Sequence, residues 1–250
     1  MRLASAGLSL IILAAMFMPL ERAFPARVGQ PILRPAVWVD VCFFLGQYWL
    51  FASFAVALMD GVQWGILPEI TWMAARSPLL QLVVAVVLGD LVVYWLHRAF
   101  HQFSWLWRFH AVHHSATELD WMAAFREHPV DGMVTQLVIN LPAMLLGVRT
   151  ELLAYAFVFR GAWAIFVHCN VRVPLGPLRV LFGAPELHRW HHARVQRTAH
   201  NFANLAPYLD RLFGTYHCPP GDDYALGLVD PGPRSYLGLL LRPLLPRSIG

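Results

Sequence analysis

The chain has 250 residues, 58% of them hydrophobic and 14% charged, with a mean hydropathy of +0.50. Soluble domains are about half apolar and about a quarter charged, so this composition excludes an ordinary soluble domain and points to one integral membrane domain. The net charge of +4 comes from arginine alone, and these arginines flank apolar stretches without forming a basic stripe, which argues against nucleic acid as a partner.

In chain order, Leu3 to Leu20 is the first apolar stretch. It is read as an uncleaved span, with a signal peptide as the competing reading because Ala23-Phe24-Pro25-Ala26 resembles a cleavage region. Residues 21–35, with Glu21, Arg22, Arg27, Arg34 and three prolines, read as a short polar connection. Ala36 to Met59 is long enough to cross a bilayer, which takes about 20 residues. Residues 60–77 read as a loop whose apolar middle, with Trp64 and Trp72, suits the membrane interface. Pro78 to Leu96 is the third span and runs directly into His97. Val130 to Val148 and Leu152 to Val167 flank the turn Arg149-Thr150-Glu151 and read as a membrane hairpin, each arm near the lower length limit. Residues 219–235 are rich in Pro and Gly, and Tyr236 to Leu245 is too short to span and is assigned to the membrane surface. The expected units are therefore an N-terminal membrane region (1–77), a catalytic region (78–217) and a C-terminal tail (218–250).

The histidines carry the chemistry. His97 and His101 form an H-x-x-x-H pair, while His110-Ala111-Val112-His113-His114 and His188-Arg189-Trp190-His191-His192 form two H-x-x-H-H triplets. On a helix, residues three and four apart share a face, so the spacing collects eight imidazoles before His168 is counted. One transition metal takes about four to six ligands, so eight point to two ions. Imidazole suits zinc, iron, copper and nickel alike. Cys42, Cys169 and Cys218 have no C-x-x-C spacing, which argues against a thiolate site or a disulfide framework. Asp90, Tyr94, His97 and His101 fall on one helical stripe, so Asp90 and Tyr94 are read as groups lining a cavity beneath the metals. The alternative for Asp90 is a partner for Arg160, because a carboxylate inside a span is costly and is functional or paired.

Topology ties these motifs together. The hairpin contributes two crossings, so the early and late histidine clusters return to one side of the membrane. Arginines crowd that side (Arg98, Arg108, Arg126, Arg172, Arg179, Arg189, Arg194, Arg197, Arg211), against only Arg149 at the hairpin tip. The positive-inside rule then places the metal site in the cytoplasm. The expected fold class is an all-α polytopic membrane protein with a cytoplasmic helical cap that carries a histidine-rich di-metal site.

The H-x-x-x-H pair, H-x-x-H-H followed by Ser115, His128-Pro129, His168 with Asn170, the second H-x-x-H-H and the closing Asp210-Arg211-Leu212-Phe213-Gly214-Thr215 together resemble the fatty acid hydroxylase/sterol desaturase superfamily over roughly residues 80–217. The resemblance implies a membrane oxidoreductase with two iron ions, zinc being a substitute, that uses dioxygen to hydroxylate or desaturate a lipid. It also implies the ligands His97, His101, His110, His113, His114, His168, His188, His191 and His192, with His128 as a tenth. Asn170, Asn204 and Asp210 are candidates for orienting the ligands, with Glu118, Asp120 and Glu186 also available. His200 stands where relatives carry an acidic residue, and His217 is assigned a structural role. The expected partners are a lipid substrate, dioxygen, the membrane and a separate electron-donor protein. The rival class is a histidine-rich zinc protein, either a hydrolase or a metal transporter. Against the hydrolase, no Glu follows His97, His110 or His188 to make H-E-x-x-H. Against the transporter, the histidines sit at span ends and not at the midplane.

Overall fold

The computed structural model describes residues 2–61, 72–221 and 224–245, and within them it is helical, with isolated β-bridges only at Pro25–Val171 and Ala193–Leu226. The expected interfacial segment around Trp64 lies outside the described residues. The helices are α1 (Arg2–Ala23), α2 (Val37–Gly61), α3 (Pro78–Gln102), α4 (Ser104–His110), α5 (Pro129–Leu145), α6 (Thr150–His168), α7 (Pro185–His191), α8 (Tyr208–Leu212) and α9 (Tyr236–Leu241). Three of them, Ala4–Ala23, Pro78–Gln102 and Thr150–His168, are long and apolar enough to cross a membrane.

α3 is the axis of the molecule. Pro78 enters the first turn, where its missing N–H costs nothing, and Ser77 Oγ caps the Leu80 amide at 3.3 Å. One side exposes Leu80, Val83, Val87, Leu91 and Trp95, whereas the other buries Gln81, Ala85, Gly89, Asp90, Tyr94, His97 and His101. That polarity is inverted relative to a soluble helix, as a lipid solvent requires. Its 25 residues measure about 38 Å, against a hydrocarbon core of about 30 Å. The His97–His101 turn can therefore stand at the membrane boundary.

α5 and α6 form the hairpin and both pack on α3. Its tip is pinned by Gln81, whose Oε1 accepts the Arg149 amide at 3.1 Å while its Nε2 donates to Arg76 O at 2.9 Å. Farther along α6, Arg160 donates to Ala85 O on α3 at 2.9 Å and to Asn140 Oδ1 on α5 at 2.6 Å. These bonds fasten the three helices to one another within the apolar layer.

The N-terminal elements clamp the cap. Phe17 of α1 and Phe44 of α2 share a core with Trp121, Met122 and Ile165. Glu21 accepts the amides of Trp121 and Asn170, each at 2.9 Å. The stretch read as a polar connection thus contains a half-buried anchor. The Arg34 guanidinium grips Asp120 with two hydrogen bonds, at 2.6 and 2.7 Å, and also donates to Asp40. Arg126 reaches Asp40 from the other side at 2.5 Å. α9 packs Leu239 onto Phe43 and Val112 while Leu237 and Leu241 face outward.

Candidate metal centre

Nine histidines from four parts of the fold converge, all of them buried. α3 supplies His97 and His101. The end of α4 supplies His110, and the following 3-10 turn supplies His113 and His114. The last residue of α6 is His168, and α7 with its C-cap supplies His188, His191 and His192.

These side chains sort into two groups. His97, His101, His110, His114 and His191 form one, and His113, His168, His188 and His192 form the other; within each, the candidate ligand nitrogens lie within 4.8 Å of one another. The groups adjoin, with His114 and His192 rings stacked at 4.3 Å. Each triplet is divided. The pair four apart goes to one group and the middle histidine to the other, in opposite senses for the two triplets. The first triplet is not one continuous helix, because α4 ends at His110 and a separate turn begins at His113.

Hydrogen bonds to the far side of the rings fix the tautomers. The Nδ1–H of His97 donates to Phe202 O (2.8 Å), of His113 to Arg126 O (3.0 Å), of His168 to Ala164 O (2.6 Å) and of His191 to His200 O (2.8 Å). His110 Nδ1 donates to Asp131 Oδ2 at 2.7 Å. With Nδ1 protonated, Nε2 of each neutral ring carries a lone pair. Yet His97 Nε2 faces His110 Nε2 at 3.1 Å, and His168 Nε2 faces His113 Nε2 at 3.0 Å. Two lone pairs at that distance repel unless a cation lies between them. A metal–nitrogen bond of about 2.1 Å places ligands at right angles about 3.0 Å apart, which is the spacing found. His114 Nε2, His191 Nε2 and both nitrogens of His101 are buried without a hydrogen-bond partner among the described residues. The residues therefore fit two metal ions, and the partners on Nδ1 are those that orient metal-bound imidazoles.

The same environment keeps the rings neutral. Burial, reinforced by neighbouring imidazoles, holds His113, His114, His188, His191 and His192 well below the usual 6.5, and burial lowers His110 to about 3. The unfolded chain takes up protons as pH falls through about 6.5 while the folded chain does not, so stability present above that pH is lost below it. Each such histidine adds to that loss, because the unfolded chain binds a proton that the folded chain does not. Thermal unfolding should therefore occur at markedly lower temperature at pH 5.5 than at pH 7.5, before and after chelator treatment. A midpoint that does not move would show that the rings are solvated.

Several expected residues stand elsewhere. His128 belongs to neither group: its Nδ1 accepts the Val130 amide and its Nε2 donates to Leu240 O, each at 3.1 Å, so it caps α5 and both nitrogens are used. Tyr94 does not line the cavity; its hydroxyl bonds Thr215 Oγ1 at 2.9 Å and its ring packs on Phe213. Asp90 does line the cavity. Asp210 acts at one remove, accepting the amides of Phe202 (2.8 Å) and Ala203 (3.0 Å) and so fixing the carbonyl that His97 uses. Asn170 ties the chain at Arg27 to the end of α6 through two bonds, at 2.8 and 3.1 Å, and Asn204 faces the cavity. His200 contributes its backbone carbonyl, and its ring packs on His217 at 4.2 Å. Asp131 was not anticipated. The available signal was a carboxylate in the first turn of an apolar helix, three residues after His128.

A cavity of about 210 Å3 runs from His97, His110, His113, His168 and His188 between α3, α5 and α6. Val93, Leu96, Phe100, Ile139 and Ala164 give it an apolar wall, Glu127, Asp131 and Thr135 add polar groups, and Phe157 and Gly161 are exposed on the outer side of α6.

Fold and site define a helical protein with membrane-length helices and two adjoining groups of buried histidines that could each hold a metal ion. The model of the family described as fatty acid hydroxylase matches residues 82–215, more than half of the chain, and the chain belongs to that family. It is 32% identical to an ornithine lipid hydroxylase of Rhizobium tropici over 65% of this chain and 50% of that protein. Identity to an alkylglycerol monooxygenase of Danio rerio is 31%, over 57% of this chain and 31% of that protein. A very-long-chain aldehyde decarbonylase of Oryza sativa subsp. japonica is 30% identical over 78% of this chain and 69% of that protein. The chain spans half or less of the length of the first two relatives. No solved structure matches it.

Proposed function

We propose that the chain is a membrane di-iron oxygenase that inserts oxygen into a C–H bond of a lipid, with hydroxylation ahead of desaturation. The observation that carries this reading is the pair of converging Nε2 groups at the head of a cavity that lies within the apolar layer. His97, His101, His110, His114 and His191 would hold one ion, and His113, His168, His188 and His192 the other. Two bound irons would supply the redox capacity to activate dioxygen, which no side chain possesses. The chain does the rest. The Nδ1 partners hold the rings in register, and Asp131 raises the donor strength of His110. The apolar cavity wall holds a lipid segment and excludes water. The exposed edge at Phe157 and Gly161 suits lateral entry from the bilayer, and a separate protein would deliver electrons.

The test is isotopic. Protein purified with iron, a reductant, a membrane lipid extract and 18O2 should form a lipid product that carries 18O, and none under argon. Product formed without dioxygen, or oxygen drawn from water, would sink the oxygenase reading. Two equivalents of zinc in place of iron would support the geometry alone.

The metal face is assigned to the cytoplasm because the cap holds the arginines while the hairpin tip holds Arg149. Cysteines placed at Thr117 and Val195, with the native cysteines removed, should both resist an impermeant thiol reagent in intact cells and react after lysis. Labelling of either one in intact cells would reverse the assignment.

A further inference from the structure

Buried polar atoms without a partner are rare because they forfeit hydration and receive nothing in exchange. Among the described residues, six such nitrogens belong to the metal-site histidines. Four more atoms, Arg160 Nε, Trp163 Nε1, Asn204 Oδ1 and Asp90 Oδ2, belong to residues that all line the one cavity. Metal ions would account for His114 Nε2, His191 Nε2 and one nitrogen of His101 in the first set. The second set lies away from the metals: Arg160 is eight residues before His168 and Asp90 seven before His97, which is about 12 and about 10 Å along their helices.

The four residues form one constellation. Arg160 and Trp163 share a face of α6, and the charge of Arg160 is attracted to Asp90. Asp90 Oδ1 accepts the Leu205 amide at 3.3 Å, which brings the loop at Asn204 against it. Two glycines make room for the arrangement. A Cβ at Gly89 would lie 2.0 Å from Arg160 Nη1, and one at Gly183 would lie 1.6 Å from Asn204 O and 3.0 Å from Trp163 Nε1.

We propose that Arg160, Trp163, Asn204 and Asp90 recognise an uncharged hydrogen-bonding group, an amide or a hydroxyl, carried by the lipid segment that occupies the cavity. The inference rests on reading the cavity as the substrate pocket. Two donors without a partner, Arg160 Nε and Trp163 Nε1, and two acceptors without one, Asn204 Oδ1 and Asp90 Oδ2, belong to the lining of the same cavity, so the matching ligand group both accepts and donates. The opposite charges of Arg160 and Asp90 offset one another. A carboxylate would be repelled by Asp90 and an ammonium by Arg160, whereas a neutral group meets neither penalty. At about 210 Å3 the cavity is below the roughly 300–1,000 Å3 of whole-ligand pockets. It admits a segment, and the polar group sets how much chain reaches the metals. The four residues thus fix which carbon of the lipid is presented.

Binding, read without turnover, tests this. Full-length metal-loaded protein in detergent is bound to tritiated hexadecanamide in a scintillation proximity assay and competed with hexadecanamide, hexadecan-1-ol, hexadecane and hexadecanoate. The amide and the alcohol should compete about tenfold better than the alkane and the carboxylate. Trp163→Phe keeps the ring and removes the N–H, and Asn204→Ala removes the acceptor. Each should reduce the amide-over-alkane preference at least about threefold with metal content unchanged. Arg160→Met should erase it, but Arg160 also joins α3 to α5, so the milder variants carry the decision. Equal competition by hexadecane, strongest competition by hexadecanoate, or an intact preference in both milder variants would overturn the proposal. Oxygenation plays no part in the readout. A protein that shows the preference but no 18O product would refute the activity and leave this site standing.

Discussion

His113→Ala is expected to lose about one of two metal ions and at least about 100-fold of lipid oxidation, whereas His191→Ala should keep metal more loosely while losing activity to a similar degree. The asymmetry comes from the division of the site. His113 stands in the group of four, so its removal leaves three imidazoles, while His191 stands in the group of five and leaves four. Changing even an outer partner of a ligand typically costs 10–100-fold in affinity or activity, and losing a ligand outright costs more. Metal analysis after chelator washes of increasing strength should release metal from His113→Ala first. His217→Ala is the control: its ring packs against Trp190 and His200 and joins neither group, so metal content and turnover should stay near wild type. Two retained ions and full turnover in His113→Ala would mean that the group of four is not a metal site.

What could be read in advance depended on whether spacing or packing decides a position. His97, His101, His110, His113, His114, His168, His188, His191 and His192 were legible because H-x-x-x-H and H-x-x-H-H are local geometry and because two intervening crossings return the chain to one side. The division of the triplets was not legible. It turns on the break between His110 and the turn at His113, which is set by how that segment packs. His128 carried the same residue type as the ligands, and only the bonds to Val130 N and Leu240 O reveal it as a cap. Tyr94 lay on the stripe of Asp90 and His97, but the stripe is wide enough for its flank to meet Phe213 and Thr215 instead of the cavity.

The stretch 21–35 does connect α1 to α2 as expected, but the burial of its anchors was not legible. Composition made it a polar loop, and a sequence holds no local mark that Arg34 will be buried against Asp120, 86 residues away. The carbonyls that fix the histidine tautomers were equally invisible, since every residue has one. The four unpartnered atoms in the cavity come from three separate segments. Only the fold places Asp90, Arg160, Trp163 and Asn204 together.

Asp40→Ala should destabilise the protein by about 3–5 kcal/mol and weaken metal binding at the group containing His113. Asp40 is fully buried and accepts from both Arg34 and Arg126. Removing it leaves Arg34 with Asp120 alone and strips the buried Arg126 guanidinium of its carboxylate partner, and uncompensated buried charge carries a cost of that size. At roughly 2–4 °C per kcal/mol for a chain of this length, the unfolding midpoint should fall by about 6–20 °C. The effect should then propagate to the metals by a short route. Arg126 is held by Asp40 through its side chain and accepts the His113 Nδ1–H through its carbonyl, at 3.0 Å. A shifted Arg126 leaves His113 free to rotate or change tautomer, so one metal should be lost to a chelator that leaves the other in place. The double variant Asp40→Ala/Arg126→Met separates charge from packing. It removes one of the stranded cations and should recover part of the lost stability, yet it should not restore the metal, because the carbonyl it repositions is no longer anchored. A midpoint shift below about 2 °C in Asp40→Ala would show that water reaches the arginines and that the network does not hold the cap to the spans. Full recovery of both stability and metal in the double variant would break the proposed link from Asp40 through Arg126 to His113.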